Sequence, residues 1–284
     1  MEWGPKSIYS PPDGYFHQHL NTSNEPARHI AVYGGQIPMG VHRLGDEEFI
    51  GYIPLSEGGT LIPYEDEDPE IRVIVVRGAG EKAFASGADI SEFEATMSTP
   101  EGAMDHSAAY EGALSSVEAA SKPVIAMVYG FAMGGGCGLA TACDLRIAAD
   151  TLRMGVPAGK LGVVYSLPSA RRLVHLVGAA TAKELLMTGR PVEAREALRV
   201  GLVNHVLPAS DLAEFTNDLA KEVARNAPLT VRGAKRAVQT SLGGASEEAE
   251  RAIHDLRIRG FRSEDFKEGV RAFLEKRPPE FKGK

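Results

Sequence analysis

Two short loops of small residues are the parts of this 284-residue sequence best suited to chemistry. One reads FASGADI and includes Ala88, and the other reads MGGGCGLA and includes Gly134, Gly135 and Gly136. Each loop follows a short apolar run and precedes a segment with helical patterning. Glycine lets a backbone approach a ligand closely, and the first turn of a helix has N–H groups without intrahelical partners. The loops therefore suggest a site at which backbone amides bind a negative oxygen.

The glycine-rich loop allows several interpretations. A phosphate-binding P-loop requires GK[ST], which is absent, and a dinucleotide loop requires GxGxxG in an early βαβ unit, which this mid-chain run does not match. Two interpretations remain from the glycines alone: an oxyanion hole, or a turn that only lets a helix pack closely. The second small-residue loop favours the oxyanion hole, because two loops can each direct one amide at a shared oxygen.

Short apolar strands that alternate with helices predict an α/β layer, and a run of helices alone follows it. Strands are predicted at 71–77 and in PVIAMVYG, RIAA and LVNHVLP. Helices are predicted in HSAAYEGALSSVEAA and CGLATACDL, and in LPSARRLVHLVG, TAKELLMTG and VEAREALRVG, which each end at glycine. A long helix over 209–226 begins the helical tail. We predict an atypical N-terminal segment (1–64), an α/β core (65–208) and a C-terminal helical region (209–284).

Composition excludes several classes of function. The net charge is −7, the pI is near 5.7, and no Lys/Arg block is present, so nucleic acid is not an expected partner. No apolar run approaches membrane length, and the N-terminus has no signal pattern. Cys137 and Cys143 fit neither a redox nor a zinc spacing, which favours buried free thiols. We expect a cytoplasmic protein without a metal site.

Four segments in order resemble the crotonase (enoyl-CoA hydratase/isomerase) family: AFASGADI, PVIAMVYGFAMGGGCGLATACDLRIA, GRPVEAREALRVGLVNHVLP and AFLEKRPPEF. The resemblance runs from about Asp68 to the C-terminus. It implies a ClpP/crotonase-like α/β fold, a spiral of ββα units whose C-terminal helical region trimerises into a homotrimer or a dimer of trimers. The implied chemistry stabilises the enolate of an acyl-CoA thioester, with coenzyme A present only as part of the substrate.

The resemblance also implies site residues. The N–H groups of Ala88 and Gly135 would form the oxyanion hole, and Ala88 would thereby contact the thioester. Phe273 and Lys276, in AFLEKR, match positions that touch the nucleotide of coenzyme A. A cation near a phosphate suits that role.

The two glutamates with which hydratases of this family activate water have no counterpart here. The matching positions are Gly138 and Ala158, so hydration by the usual mechanism is not expected. Decarboxylation of a malonyl-type thioester needs neither glutamate, because loss of CO2 gives the enolate directly. An isomerase or hydratase that uses a carboxylate from elsewhere, and a catalytically inactive CoA-ester-binding trimer, remain as alternatives.

Tyr165 is the side chain that we predict to act in decarboxylation. KLGVVYSL and the tail SEDFKEGVRAFLEKRPPEF resemble methylmalonyl-CoA decarboxylase more than the hydratases, and a tyrosine lies in that relative's active site at the matching place. Tyr165 would orient the carboxylate or protonate the enolate, and the alternative is a core tyrosine. The relative differs in having a histidine in place of Ala88 and a glutamate in place of Gly138.

The remaining polar candidates have structural interpretations. Ser166 could bond a carboxylate or start a helix. Asp89 is expected to cap a helix, and Asp144 to be structural. His106 is expected to be exposed, and a general base is the alternative. Glu92, Glu94 and Glu118 are expected to be solvated charges on helices.

Residues 21–64 lack the turn and long amphipathic helix with which relatives begin. One hypothesis is divergence with a remodelled CoA entrance, and the other is a local reading-frame error in the gene or its sequence. Resequencing the gene across this stretch separates the two.

Overall fold

The computed structural model describes residues 71–78, 80–88, 93, 97–244 and 246–284. The predicted N-terminal segment, as well as Asp89, Glu92 and Glu94, lies outside these residues. The described residues include most of the predicted α/β core and all of the predicted C-terminal helical region except residue 245. The boundaries between the three predicted segments stay predictions.

Within the described residues, eight strands form two four-stranded sheets. The first sheet contains, in spatial order, β1 (Ile74–Arg77), β3 (Val124–Val128), β5 (Leu145–Ala149) and β8 (His205–Leu207), all parallel. The second contains β2 (Ala83–Ala85), β4 (Phe131–Met133), β6 (Arg153–Gly155) and β7 (Val192–Glu193), of which only the last pairing is antiparallel. The predicted strands all fall in the first sheet.

The chain moves from the first sheet to the second and then into a helix, three times in succession. The helices that close these ββα units are α1 (Pro100–Ala119), α2 (Gly135–Ala142), and α3 (Ala158–Leu161) with α4 (Leu167–Thr188). Gly178 interrupts α4 with non-helical angles, φ 75° and ψ 163°. The two arms of α4 correspond to the two helices that the sequence predicts, and the repeated ββα order confirms the predicted α/β class.

Three strands of the first sheet, β1, β3 and β5, are largely buried on both faces, whereas the edge strand β8 is not. Ile74 and Val76 point toward the core under α1, α2 and α4, whereas Val73 and Val75 point toward α6 (Leu212–Arg225). Side chains alternate along a strand, so a strand covered on both faces needs a continuous apolar run. This explains why VIAMV in β3 is entirely apolar and entirely buried.

The C-terminal helices begin on the sheet and then leave it. The short helix α5 (Ala194–Arg199) lies between α4 and β8. The helix α6 then packs on β3 and β5. Three further helices follow it: α7 (Pro228–Gly243), α8 (Glu247–Arg262) and α9 (Glu264–Glu275). No residue of α8 is buried. None of the described helices is long and apolar enough to cross a membrane.

Asp144 joins the tail to the core. Its carboxylate accepts hydrogen bonds from the Val124 amide (2.7 Å) and from Lys235 Nζ of α7 (2.7 Å). Lys235 also donates to the carbonyl of Lys122 at 3.0 Å. The predicted structural role of Asp144 is therefore confirmed.

Candidate active site

The loops that hold Ala88 and Gly135 lie side by side, because β2 and β4 are neighbouring parallel strands and each loop follows its strand. A Cβ built on Gly135 would lie 3.4 Å from the Gly87 Cα and 3.7 Å from the Ala88 nitrogen. Gly87 has φ 93°, and a Cβ there would come within 2.8 Å of the Gly135 nitrogen. A side chain at Gly87 would thus separate the two loops.

Within the part of the chain that the structure describes, neither amide donates to a backbone carbonyl. Gly135 is the first residue of α2, so no carbonyl of a preceding turn accepts from its N–H. Among the described residues, no backbone carbonyl accepts from the Ala88 N–H. The N-terminus of α2 adds a partial positive charge at the same place. Two adjacent N–H donors with this charge can stabilise an oxygen that becomes negative during a reaction.

Gly138 faces a tyrosine that the sequence did not single out. A Cβ built on Gly138 would overlap the Tyr110 hydroxyl oxygen, and it would lie 3.1 Å from Tyr110 Cζ and 3.2 Å from Leu114 Cδ1. The Tyr110 hydroxyl donates a hydrogen bond to the Gly135 carbonyl at 3.0 Å. The volume next to position 138 is therefore filled by a phenol from α1.

The Tyr165 hydroxyl is buried in the same neighbourhood and has no partner of good hydrogen-bond geometry within the described chain. Burial raises the pKa of Tyr165, and the nearby Cys137 thiol raises it further. The nearby Ser169 hydroxyl partly lowers the pKa of Tyr165. In this structure, however, the Ser169 hydroxyl donates its proton to Glu111. Burial also raises the pKa of Tyr110, followed by the effect of Tyr165. Both phenols are therefore neutral at physiological pH.

Ala158, the other position without a carboxylate, begins α3 and is partly buried. Ala158, Tyr110 and Tyr165 all pack against the same hydrophobic core. The structure thus places Tyr165, Tyr110 and Ala158 against one core, and the electrostatic effect of Tyr165 on Tyr110 shows that the two phenols lie near each other.

A buried ion pair, also missed from the sequence, lies behind the phenols. Glu111 accepts hydrogen bonds from the Ser166 hydroxyl, from the Ser169 hydroxyl (2.5 Å) and from Arg172 Nη1 (2.7 Å). The side chains of Arg172 and Glu111 are 5% and 14% exposed. Burial opposes ionisation of Glu111, but the three hydrogen bonds outweigh it and lower the pKa of Glu111.

This cluster corrects one interpretation of the sequence, that of Glu118, and confirms the helix-start role of Ser166. Glu118 is not simply a solvated charge, because its carboxylate pairs with Arg172 Nη2 at 2.8 Å. Ser166 both caps α4, accepting from the Ser169 amide at 3.2 Å, and donates to Glu111. The spacing of Ser166, Ser169 and Arg172 at every third residue was the available signal, since such residues share one helix face.

The predicted CoA-binding residues lie at the end of α9. Phe273 is 83% exposed, and Lys276 ends the helix in a left-handed conformation with φ 55°. In the described ranges, no hydrogen bond or ion pair connects either residue to Ala88, Gly135 or Tyr165. Their role in binding CoA stays a prediction.

The described residues contain no group of three or more His, Cys, Asp or Glu side chains that could hold a metal. Cys137 and Cys143 are free and buried, as predicted. Burial raises the pKa of each thiol to about 12, so neither is a thiolate nucleophile at neutral pH.

Comparison with known proteins places this site in a family. Residues 60–284 match the model of the enoyl-CoA hydratase/isomerase family. The short-chain-enoyl-CoA hydratase of Clostridium acetobutylicum is 38% identical over 223 residues, which cover 78% of this chain and 85% of that protein. The crotonyl-CoA hydratase of Syntrophomonas wolfei is 38% identical over 228 residues, covering 78% of this chain and 87% of that protein.

A solved structure agrees with these sequence matches. The enoyl-CoA hydratase of Bacillus anthracis superposes with a TM-score of 0.72 at 36% identity, covering 77% of this chain and 84% of that one. The fold is therefore the predicted crotonase fold. The similarity of the C-terminal half to methylmalonyl-CoA decarboxylase stays a prediction. The chain belongs to the enoyl-CoA hydratase/isomerase family.

Proposed function

We propose that this protein acts on acyl-CoA thioesters and stabilises a thioester enolate with the N–H groups of Ala88 and Gly135. The observation that carries the proposal is the close approach of the two loops, which brings the Ala88 and Gly135 amide nitrogens near each other without a backbone acceptor among the described residues. The α-proton of a thioester is weakly acidic, so the enolate oxygen is where hydrogen bonds lower the barrier most. Family membership supports the substrate class.

The reaction that these residues support best is decarboxylation of a malonyl-type acyl-CoA. The carbon–carbon bond to the carboxylate breaks, its electron pair forms the enolate, and CO2 leaves. A proton then adds to the α-carbon. Gly138 and Ala158 provide no carboxylate to activate water, and this reaction requires no base.

Tyr165 is our candidate for the side chain that acts on the leaving carboxylate or on the enolate. Its hydroxyl is neutral and buried and has no partner of good hydrogen-bond geometry within the described chain, so its proton would be available to a substrate that reaches it. A neutral phenol can orient a carboxylate or supply a proton, but it is a poor base at neutral pH.

Hydration of an enoyl-CoA is the second candidate. The names of the relatives favour it, since they include a short-chain-enoyl-CoA hydratase and a crotonyl-CoA hydratase. It requires a carboxylate from outside positions 138 and 158. A CoA-ester-binding protein without activity is the non-enzymatic alternative.

The test is to incubate the purified protein with malonyl-, methylmalonyl-, crotonyl- and 3-enoyl-CoA and to follow each product by mass spectrometry. We expect loss of CO2 from a malonyl-type substrate, with crotonyl-CoA unchanged. Addition of water to crotonyl-CoA would favour the second candidate. No turnover of any substrate would favour the binding protein.

Tyr165→Phe then tests the side chain with a minimal change. A decarboxylase should slow by about 10- to 100-fold in kcat, because the variant loses a proton donor but keeps the ring. Tyr129→Phe is the matched control, since Tyr129 is a buried tyrosine in the other core cluster. Equal rates for Tyr165→Phe and the wild type would assign Tyr165 to the core.

We further propose that Phe273 and Lys276 bind the nucleotide of CoA, and that the protein is a homotrimer or a dimer of trimers. Exposed apolar side chains on α8 and α9, including Phe261 (60% exposed) and Leu274 (74% exposed), support burial against another subunit. Light scattering of the purified protein tests the oligomeric state, and a monomeric mass would contradict the proposed trimer.

A further inference from the structure

We propose that Tyr110 determines which reaction the site can perform, by filling the volume that a side chain at position 138 would need and by holding the Gly135 carbonyl in the first turn of α2. This inference rests on the proposed function, because it concerns the same enolate site. Tyr110 acts here as a positioning residue and as a specificity determinant, through its ring volume and its hydroxyl.

The steric argument comes from the contacts of Gly138. Any side chain there begins with a Cβ that overlaps the Tyr110 hydroxyl oxygen and lies 3.1 Å from Tyr110 Cζ. Tyr110 is partly buried and hydrogen bonded, so its ring cannot move away without loss of that bond. A glutamate at 138 therefore requires the Tyr110 hydroxyl to move and to give up its bond to Gly135.

The surroundings of Tyr110 fix its ring. Glu111, the next residue of α1, is held by Ser166, Ser169 and Arg172, all on α4. These bonds prevent rotation of this part of α1. The ring thereby stays against the first turn of α2, where Tyr110 Cε2 lies 3.4 Å from a Cβ built on Gly135.

The hydrogen bond of Tyr110 has a consequence for the oxyanion hole. A phenol has one proton, and Tyr110 donates it to the Gly135 carbonyl at 3.0 Å. Gly135 is also the residue whose N–H we assign to the oxyanion hole. Tyr110 therefore helps to set the orientation of the first turn of α2 that carries this donor, and it leaves no base at the place where hydratases have one.

The first experiment measures steric coupling with the smallest possible changes. Gly138→Ala adds one methyl group and is expected to lower Tm by roughly 5 °C, as overpacking does. Tyr110→Phe removes only the overlapping oxygen, and the double variant Tyr110→Phe/Gly138→Ala should recover more than half of that loss. Tyr129→Phe is the matched control and should recover none of it. An unchanged Tm in Gly138→Ala, or no recovery in the double variant, would overturn the proposal.

The second experiment tests the choice of reaction. We expect Tyr110→Ala/Gly138→Glu to hydrate crotonyl-CoA at least 100-fold faster than Tyr110→Ala alone, because the carboxylate then has room next to the oxyanion hole. If the double variant folds, as judged by its Tm and circular dichroism, and adds no water, the role in specificity is wrong.

The third measurement separates positioning from folding. In Tyr110→Phe, kcat on the substrate identified for the wild type should fall about 10-fold while KM stays within 2-fold, because the oxyanion donor shifts but the CoA contacts do not. An unchanged kcat would overturn the positioning role. If the wild type turns over no malonyl-type substrate, the proposed function fails, and the Tm measurements still decide the inference on Tyr110.

Discussion

The proposed oxyanion side of the candidate site consists of backbone amides, whereas the proposed acid–base side consists of side chains. The amides of Ala88 and Gly135 are placed by the pairing of β2 with β4, so any sequence that preserves the pairing keeps them. On the other side, Gly138 and Ala158 carry no carboxylate, and Tyr110 and Tyr165 lie nearby. One side of the site is thus common to the fold, and the other depends on individual residues.

This difference suggests how one fold can support several reactions. Stabilisation of an enolate needs only the backbone, whereas the fate of the enolate depends on which side chain gives or takes a proton. An exchange at two contacting positions, such as Tyr110 and Gly138, changes the second property and leaves the first. This comparison predicts that removal of a backbone N–H donor has a large effect on kcat. It also predicts that changes of individual side chains have smaller effects, on stability and on KM.

Removal of the Gly135 donor should have the largest effect. Gly135→Pro deletes the N–H at the first position of α2, where proline is well tolerated. We expect a loss of about 10²- to 10³-fold in kcat with any accepted substrate, or about 3–4 kcal/mol in the barrier. Gly135→Ala keeps the N–H, and its Cβ would meet ordinary contacts of 3.4 Å or more.

The two variants of Gly135 are to be compared in single-turnover assays. A strong loss in Gly135→Pro with little change in Gly135→Ala would support the backbone role. Similar rates in both would show that the amide does not bind the oxyanion.

Arg172→Met should have the second largest effect, on stability. The change leaves Glu111 buried without its cation, and broken buried ion pairs destabilise by about 3–5 kcal/mol. Since the Glu111 side chain is 14% exposed, we expect the lower end, about 3 kcal/mol, in urea unfolding. The double variant Glu111→Gln/Arg172→Met should recover most of this loss. Equal stabilities of wild type and Arg172→Met would contradict the assignment.

The pH dependence of stability should reveal the same cluster with a smaller effect. Glu111 has a lower pKa in the folded protein than its usual 4.5, so its ionisation stabilises the fold above that value. This contribution is lost as the pH falls below 4.5 through the folded pKa. The difference in unfolding free energy between wild type and Glu111→Gln should be constant near neutral pH and shrink below 4.5. A difference that grows in acid would be inconsistent with the lowered pKa.

Lys276→Ala should have the smallest effect. The side chain is exposed at the end of α9, where a contact with a phosphate is screened by solvent and salt. We expect a rise of about 2- to 5-fold in KM for the CoA ester, equivalent to roughly 0.4–1 kcal/mol, and no change in kcat. Lys284→Ala is the control at the exposed end of the same tail. A substrate that lacks the nucleotide should not distinguish Lys276→Ala from wild type.

The sequence predicted the strands of the first sheet well and those of the second poorly. The segment VIAMV is apolar at every position because both of its faces are covered, and such a run is recognisable without structure. The strands of the second sheet are two or three residues long, too short for a period to show. Their presence depends on partners that are distant in the chain, such as Phe131 beside Arg153.

The candidate site also combines features that a local sequence pattern reveals with features that depend on residues distant in the chain. By itself, the sequence determined the two small-residue loops, the helix start at Gly135 and the residue types at positions 138 and 158, because backbone freedom and residue type are local properties. Only the tertiary structure decided that Tyr110 fills the space at Gly138 and that Glu111 pairs with Arg172, 61 residues further along the chain. The physical reason is that van der Waals overlap and buried charge pairing depend on distances across the fold, which no local pattern of residues contains.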